Sequence, residues 1–144
     1  MLQKKQPITE QEALLKLSAL CARAEHSSGE ILEKMRRWQL PDDARERVLD
    51  RLIDEQFVDD ERFARLFVRE KIRFDHWGRR KIEQALYLKG VDSNISRRVL
   101  DEVDDEAYVA ELKKLLATKR RSVKAENDYE LRQKLTKYAL GRGF

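Results

Sequence analysis

Few residues in this chain could do acid–base, nucleophilic or metal chemistry, and they are scattered. The two histidines, His26 and His76, lack the HExxH or Cys/His spacing of a metal site. Cys21 is the single cysteine and has no partner for zinc binding or an internal disulfide. Neither GxxxxGK[ST] nor GxGxxG, the phosphate-binding loops, occurs. We therefore expect a protein that is not an enzyme and that needs no cofactor or metal.

Two acidic pairs, Asp59-Asp60 and Asp104-Asp105, have the residue type of carboxylate metal ligands. Each pair comes directly before an apolar run at helical spacing. There an aspartate side chain accepts hydrogen bonds from free backbone N–H groups and offsets the helix dipole. Because the pairs occupy matching places in two similar segments, we interpret both as helix caps.

The distribution of charge is more informative. Lys and Arg number 31 against 27 Asp and Glu, a net charge of +4. Acids collect over 41–62 and 101–106, while the bases of 113–124 follow one another without an intervening acid. Such segregation suits contacts to phosphates. The bases could instead complement helix C-termini and solvate the surface, and both interpretations stay open.

Five aromatic residues lie near these bases: Phe74, Trp77, Tyr87, Tyr129 and Tyr138. An aromatic at helical spacing is either a core residue or a platform on which single-stranded bases stack. Trp77 precedes a predicted helix beside Gly78 and Arg79, and we expect it to be the most exposed of the five.

Length and composition favour a small all-α protein. The chain has 144 residues, 41% hydrophobic and 40% charged, enough for a core under a charged surface. Five glycines and two prolines leave little material for tight turns, and no segment alternates long enough to predict a strand. No segment approaches the roughly 20 apolar residues of a membrane span. The first residues lack the apolar segment of a secretory signal, so we expect a cytoplasmic protein.

Apolar spacing predicts a leading helix over 10–24 and further helices over 28–39, 44–56 and 60–73. Ser27 and Glu30 have the spacing of a capping box. Pro41 and the following Asp42 and Asp43 break the chain and offer the next cap. Residues before about Thr9 are expected to be unstructured.

A shift of 51 residues superimposes the chain on itself. The matching apolar positions are Ile31 with Ile82, Met35 with Leu86, Leu40 with Val91, Ala44 with Ile95, Val48 with Val99, and Leu49 with Leu100. After a loop shorter by six residues, Val58 to Phe63 matches Val103 to Tyr108. A third copy begins near Asn127 and ends at Gly143-Phe144, which repeats Gly90-Val91.

These periodicities predict tandem three-helix repeats in an elongated, curved array with an incomplete third repeat. The predicted segments are an N-terminal segment with the leading helix (1–26), a first repeat (27–75), a second repeat (76–124) and the first helix of a third repeat (125–144).

Three segments, from Phe57 to Val68, from Trp77 to Ile82 and from Leu86 to Val91, resemble the RecX family of RecA regulators. They contain D-D-x-R-F-A-x-x-F-V and G-x-x-x-I-x-x-x-L-x-x-K-G, and Arg142 to Phe144 adds a closing R-G-F. Family members usually continue past that motif into two more helices, and this sequence departs from the family there, because it ends at Phe144. We interpret the following motif residues as core and caps: Asp59, Asp60, Phe63, Phe67, Gly78, Ile82, Leu86 and Gly90.

The resemblance implies a non-enzymatic regulator that lies in the groove of the RecA filament on single-stranded DNA. There it would restrain ATP hydrolysis, strand exchange and co-protease activity, and so act in recombination, DNA repair and the SOS response. DNA would be contacted through its backbone, with double-stranded DNA a further candidate, and we expect a monomer. Our hypothesis for the residues that face RecA and DNA is Arg73, Arg79, Arg80, Lys89, Arg97, Arg98, Arg120 and Arg121.

Two other functions stay open at this point. A three-helix unit can be a helix-turn-helix that reads duplex DNA, with 44–56 or 93–102 as its recognition helix. The first of these is strongly acidic, whereas the second carries Asn94, Arg97 and Arg98. A helical-repeat scaffold without a nucleic-acid role is the other alternative.

Overall fold

A computed structural model describes residues 7–144, and over that range the protein is all-α, as predicted. The helices are α1 (Glu10–Arg23), α2 (Ser28–Arg37), α3 (Asp42–Asp54), α4 (Asp60–Arg73), α5 (Arg79–Leu88), α6 (Ser93–Asp101), α7 (Asp105–Arg120) and α8 (Asp128–Gly141). The prediction of unstructured residues before Thr9 falls mostly on residues 1–6, outside the described part of the chain. Pro7 and Ile8 have no regular secondary structure.

Predicted caps hold three of the helix N-termini, those of α2, α4 and α7. Ser27 Oγ accepts from the Glu30 N–H at 3.2 Å, and the Glu30 carboxylate accepts from the Ser27 N–H at 3.1 Å, which completes the capping box of α2. Asp59 and Asp104 each accept from a backbone N–H three residues on, at 3.0 and 2.9 Å. The capping role assigned to these two aspartates is confirmed.

The start of α3 differs from the prediction. Pro41 itself is the N-cap and offers no side-chain hydrogen bond. Asp43 lies inside the first turn, where its carboxylate accepts from the Ala44 N–H at 2.9 Å. The fixed φ of proline suits a helix start, so this terminus forms without a side-chain cap ahead of it.

Helices α2, α5 and α8 end in the same way. Each is followed by a residue in the left-handed region and then an apolar residue, in the pairs Gln39-Leu40, Gly90-Val91 and Gly143-Phe144. The apolar residue's N–H donates to a carbonyl five residues back, at 3.1 Å in all three. These matching ends confirm the internal repeat.

The buried side chains group the helices in a different phase from the predicted segments. One core cluster contains Ala13 and Leu17 of α1 together with residues of α2 and α3. The second combines α4, α5 and α6, with Ala64 and Val68 in the places that Ala13 and Leu17 hold 51 residues earlier. The packing units are therefore α1–α3 and α4–α6, one helix earlier than 27–75 and 76–124, because a period fixes a repeat's length but not its starting point.

Helices α2, α5 and α8 meet end to end between these units. The buried Ser27 hydroxyl at the start of α2 donates to the Lys89 carbonyl at the end of α5, at 2.6 Å. In the same way, the N–H of Gly78 before α5 donates to the Arg142 carbonyl after α8, at 2.7 Å. Each contact places a positive helix N-terminus on a negative C-terminus, so the dipoles attract.

The second acid of each Asp-Asp pair strengthens these junctions. Asp60 accepts from the Ser28 N–H at 2.7 Å and from the Ser28 hydroxyl, so it caps α2 of the preceding unit and not its own helix. Asp105 accepts from the Arg79 guanidinium of α5 at 2.8 Å. Both carboxylates thus lie at the N-terminus of a helix in the unit before them.

Candidate interaction surfaces

Four of the eight cations predicted to face RecA and DNA form ion pairs within the protein. The pairs are Arg79–Asp105 at 2.8 Å, Lys89–Glu30 at 3.5 Å, Arg97–Glu83 at 3.8 Å and Arg98–Glu61 at 3.1 Å. A cation that already faces a carboxylate has less free charge for a phosphate. These four therefore contribute less positive potential than their number suggests.

Arg79 has a structural position. Besides its ion pair with Asp105, its guanidinium lies 4.1 Å from the centre of the Tyr108 ring. Its backbone N–H donates to the Tyr108 hydroxyl at 3.0 Å. Since these contacts join α5 to α7, Arg79 stabilises the junction between the α4–α6 unit and α7.

The other four predicted cations make no ion pair with a carboxylate in the described chain. Arg80 donates to the Phe144 carbonyl at 3.3 Å beside the α5–α8 junction. Arg73 lies over the ring of Phe74, 5.6 Å from its centre. Arg120 and Arg121 are exposed at the end of α7. The eight residues thus divide between internal ion pairs and free positive charge.

Free positive charge is concentrated at the end of the described chain. All seven arginines from Arg36 to Arg65 pair with a carboxylate. Around α7 and α8, by contrast, only Lys114 and Lys134 do so. The exposed bases left unpaired there are named the C-terminal cations: Lys113, Arg120, Arg121, Lys124, Arg132 and Lys137.

The two helices that carry the C-terminal cations pack on each other. Lys119 of α7 lies over the Tyr138 ring of α8, with its Nζ 4.7 Å from the ring centre. Lys134 of α8 donates to the Lys124 carbonyl at 2.6 Å, which ties the connecting loop to the helix. Free bases held on packed helices and a fastened loop suit the regular charge of a phosphate backbone.

The exposure predicted for Trp77 is wrong. Its ring is half-buried against the second core cluster, with Lys71 Nζ 4.7 Å and Lys81 Nζ 4.5 Å from its centre. The apolar body of the ring gains more from that core than from solvent. Three of the other four aromatics are more exposed: Tyr87 at 74%, Phe74 at 69% and Tyr129 at 67%.

The family-motif residues lie in the second core cluster, against it, or at the junctions between helices. Phe63, Ile82 and Leu86 are buried in the second cluster, and Phe67 packs against it, half-exposed, with its ring centre 5.7 Å from that of Phe63. Gly90 has φ 76°, so it ends α5 in the left-handed region.

Sequence reasoning missed one apolar surface. Helices α5 and α6 form a groove of about 570 Å³ whose rim carries Tyr87, 74% exposed, and Leu88, 83% exposed. We name this the α5–α6 groove, lined by Arg80, Glu83, Gln84, Tyr87, Leu88, Val91, Ser93 and Ser96. The sequence did contain a sign of this surface: the 51-residue shift places the apolar Tyr87 and Leu88 on the charged Arg36 and Arg37.

Groups able to do acid–base or redox chemistry stay apart. In residues 7–144, no three His, Cys, Asp or Glu side chains come together as metal ligands. His76 Nδ1 lies 3.6 Å from the Glu111 carboxylate, between the α4–α5 loop and α7. Partial burial, followed by the charge of Glu25, raises the pKa of the Cys21 thiol, which disfavours the reactive thiolate.

No helix in residues 7–144 has the length and hydropathy to cross a bilayer.

Comparison with known proteins gives concordant matches. A model of the second three-helix domain of RecX matches residues 59–100, which contain α4, α5 and nearly all of α6. The regulatory protein RecX of Chlorobium limicola is 34% identical over 121 residues, covering 83% of this chain and 73% of the relative. The regulatory protein RecX of Prosthecochloris aestuarii is 35% identical over 122 residues, which cover 83% of this chain and 77% of the relative. The chain spans only 55% of the Clostridium acetobutylicum RecX, at 32% identity.

Solved structures support the fold. The crystal structure of RecX from Lactobacillus salivarius superposes with a TM-score of 0.83 at 21% identity, over 94% of this chain and 88% of that one. A second crystal structure of a regulatory protein RecX gives a TM-score of 0.86 at 23% identity, over 94% and 68%. The all-α helical-repeat fold predicted from the sequence is confirmed.

Proposed function

The chain belongs to the RecX family of regulatory proteins, and on that basis we propose that it binds the RecA filament on single-stranded DNA. There it inhibits ATP hydrolysis, strand exchange and co-protease activity, acting as a cytoplasmic, non-enzymatic regulator of recombination, DNA repair and the SOS response. It works by binding as a monomer, with its helical units set against successive RecA protomers and its free bases close to the DNA backbone.

The separation of paired and unpaired bases carries this proposal. The arginines from Arg36 to Arg65 are neutralised by nearby carboxylates, whereas the C-terminal cations are exposed and unpaired. Phosphate contacts position a protein on nucleic acid without reading its sequence, as a regulator of a filament on arbitrary DNA requires.

Among the eight cations of the original hypothesis, Arg120 and Arg121 are the best candidates for phosphate contacts. Arg73 is a further one, on α4 beside the exposed Phe74. Arg79 and Lys89, at the two ends of α5, form ion pairs with α7 and α2, whereas Arg97 and Arg98 form ion pairs within the α4–α6 unit. Charge reversal at Arg79 would break its contact with Asp105, so a test of binding leaves Arg79 unchanged.

The test compares two triple variants with the same change in charge. Arg120→Glu, Arg121→Glu and Lys124→Glu reverse three C-terminal cations. Lys16→Glu, Arg23→Glu and Lys34→Glu reverse three bases of α1 and α2 that are also exposed and unpaired. Affinity for single-stranded DNA and for RecA filaments is measured as a function of salt concentration. The first triple is expected to lower the salt slope on single strands by about 2, at about 0.7 per lost phosphate contact.

The outcomes separate the proposal from its alternatives. Equal weakening by both triples would show that only net charge matters and would remove the C-terminal cations from the proposal. A salt-resistant preference for one duplex sequence would favour the helix-turn-helix alternative. The structure gives that alternative little support, since two of the three side chains that would read bases, Arg97 and Arg98, face carboxylates. Absence of binding to both DNA and RecA would leave a scaffold.

A further inference from the structure

The α5–α6 groove exposes the most accessible large apolar side chains of the described chain. Tyr87 is 74% exposed and Leu88 is 83% exposed, and both stand on the last turn of α5. Neither contributes to the second core cluster, whose α5 members are Ile82 and Leu86. Adjacent exposed Tyr and Leu beside a groove have the character of a protein-binding hot spot, since aromatic anchors dominate such interfaces.

The first repeat provides an internal comparison for this groove. Tyr87, Leu88 and Ser96 correspond, 51 residues earlier, to Arg36, Arg37 and Arg45. Arg36 and Arg37 both pair with Glu33, at 2.9 and 3.5 Å. The side chain of Arg45 is only 21% exposed and pairs with Asp42.

The same place is thus charged and closed in the first repeat but apolar and open in the second. The fold accepts a large side chain there, because Arg45 occupies the equivalent place in the first repeat. Only the small Ser96, which is 1% exposed, leaves the space that a stem such as that of Arg45 would fill.

The charges around the groove indicate what it can accept. Glu83 faces Arg97 at 3.8 Å, so this pair adds little net charge. Arg80, at one end, is exposed and pairs with no carboxylate in the described chain. Its guanidinium donates to the Phe144 carbonyl at 3.3 Å but has further N–H donors, so this end of the apolar groove complements a protein segment with apolar anchors and one carboxylate. A phosphate backbone would find one free cation there, against six on and between α7 and α8.

We infer that the α5–α6 groove is the site at which this chain binds the RecA protein of the filament, separate from the cations that contact DNA. Its occupant is an apolar segment of RecA that inserts beside Tyr87 and Leu88 and presents a carboxylate to Arg80. This assignment rests on the proposed function for the identity of the partner. It divides binding between an apolar, salt-resistant contact to RecA and a cationic, salt-sensitive contact to DNA.

The test uses variants that leave the core intact. Tyr87→Ser with Leu88→Ser removes both exposed anchors without a change in charge. Leu15→Ser with Val109→Ser is the matched control, since those side chains are also exposed, at 65% and 43%, but lie on α1 and α7. A second variant, Ser93→Asp with Ser96→Arg, transplants the Asp42 and Arg45 pair that closes the first repeat. Circular dichroism melting verifies that every variant is folded.

Two affinities are measured for each variant. One is binding to RecA filaments assembled on single-stranded DNA with a non-hydrolysable ATP analogue, measured by co-sedimentation. The other is binding to the bare labelled oligonucleotide, measured by fluorescence anisotropy. We expect both groove variants to lose at least tenfold in affinity for filaments and less than twofold for bare DNA. The control pair should keep both affinities.

Each alternative result has a definite meaning. Wild-type affinity of a folded Tyr87→Ser, Leu88→Ser variant for filaments would overturn the groove assignment and leave the proposed function standing. Failure of the unaltered protein to bind filaments would overturn both. If sedimentation equilibrium instead finds a dimer that this variant converts to monomer, the occupant is a second copy of the chain, and the assignment to RecA is wrong.

Discussion

Replacement of Gly29 by alanine should weaken the junction between the first two packing units. Gly29 lies in the first turn of α2. A Cβ there would come closer than 3.0 Å to the Lys89 carbonyl oxygen and to Gly90 Cα, both backbone atoms that cannot rotate away. The N-terminus of α2 must therefore move away from the C-terminus of α5. That movement breaks the buried hydrogen bond from the Ser27 hydroxyl to the Lys89 carbonyl.

The magnitude follows from two opposing effects. Loss of a buried hydrogen bond costs about 1–3 kcal/mol. Alanine in a helix is about 1 kcal/mol better than glycine at most, and less so in a first turn. We expect Gly29→Ala to reduce the free energy of unfolding by about 1–2 kcal/mol.

Gly141→Ala is the matched control. Gly141 is the last residue of α8, and a Cβ there would meet nothing within 4 Å. The same substitution should therefore stabilise the protein, by up to about 1 kcal/mol. Urea denaturation followed by circular dichroism measures both variants. The reasoning is refuted if Gly29→Ala is as stable as the wild type or more so, because the two helix ends would then not be in contact.

Two further predictions concern the core and the surface ion pairs. Phe63→Ala should lower the free energy of unfolding by about 3–4 kcal/mol, since Phe63 is only 7% exposed in the second core cluster, and urea denaturation measures it; a loss below about 1 kcal/mol would contradict its place in the core. A hydrogen bond from the Arg65 guanidinium lowers the pKa of Glu102 from its ordinary value of 4.5. The ionised carboxylate therefore stabilises the folded state above pH 4.5, and this stabilisation is lost as the pH falls through the lowered pKa. Glu102→Gln should therefore make the melting temperature fall less steeply below about pH 4.5, and Glu106→Gln, at an exposed glutamate, serves as the control. If the melting temperatures of Glu102→Gln and the wild type fall in parallel with pH, the proposed Arg65–Glu102 pair is contradicted.

The helices and their repeat could be predicted because local patterns determine them. The capping box at Ser27, the caps at Asp59 and Asp104, and the matching core positions Ile31 and Ile82 depend on spacing within one or two turns. The grouping of helices into packing units could not be read from the period alone. The match of Ala13 and Leu17 with Ala64 and Val68 contained that information, because buried positions recur with the same shift.

The interaction surfaces were harder to predict, since they depend on which distant side chains meet. The bases Arg79 and Arg98 lie in basic segments, yet carboxylates 26 and 37 residues away in sequence neutralise them. Trp77 precedes a helix beside Gly78 and Arg79, a position that suggests exposure, but the loop folds its ring onto the core between two lysines. Tyr87 has the opposite outcome, because its face of α5 is left uncovered.

The most direct test of the account is the steady-state rate of ATP hydrolysis by RecA on single-stranded DNA, measured while this protein is titrated onto preassembled filaments. We predict that the rate falls at substoichiometric amounts. Excess bare DNA should not fully restore it, because the proposed contacts bind the protein to RecA as well as to DNA. An unchanged rate, with the protein folded and in excess over RecA, would contradict the claim that this chain regulates the filament.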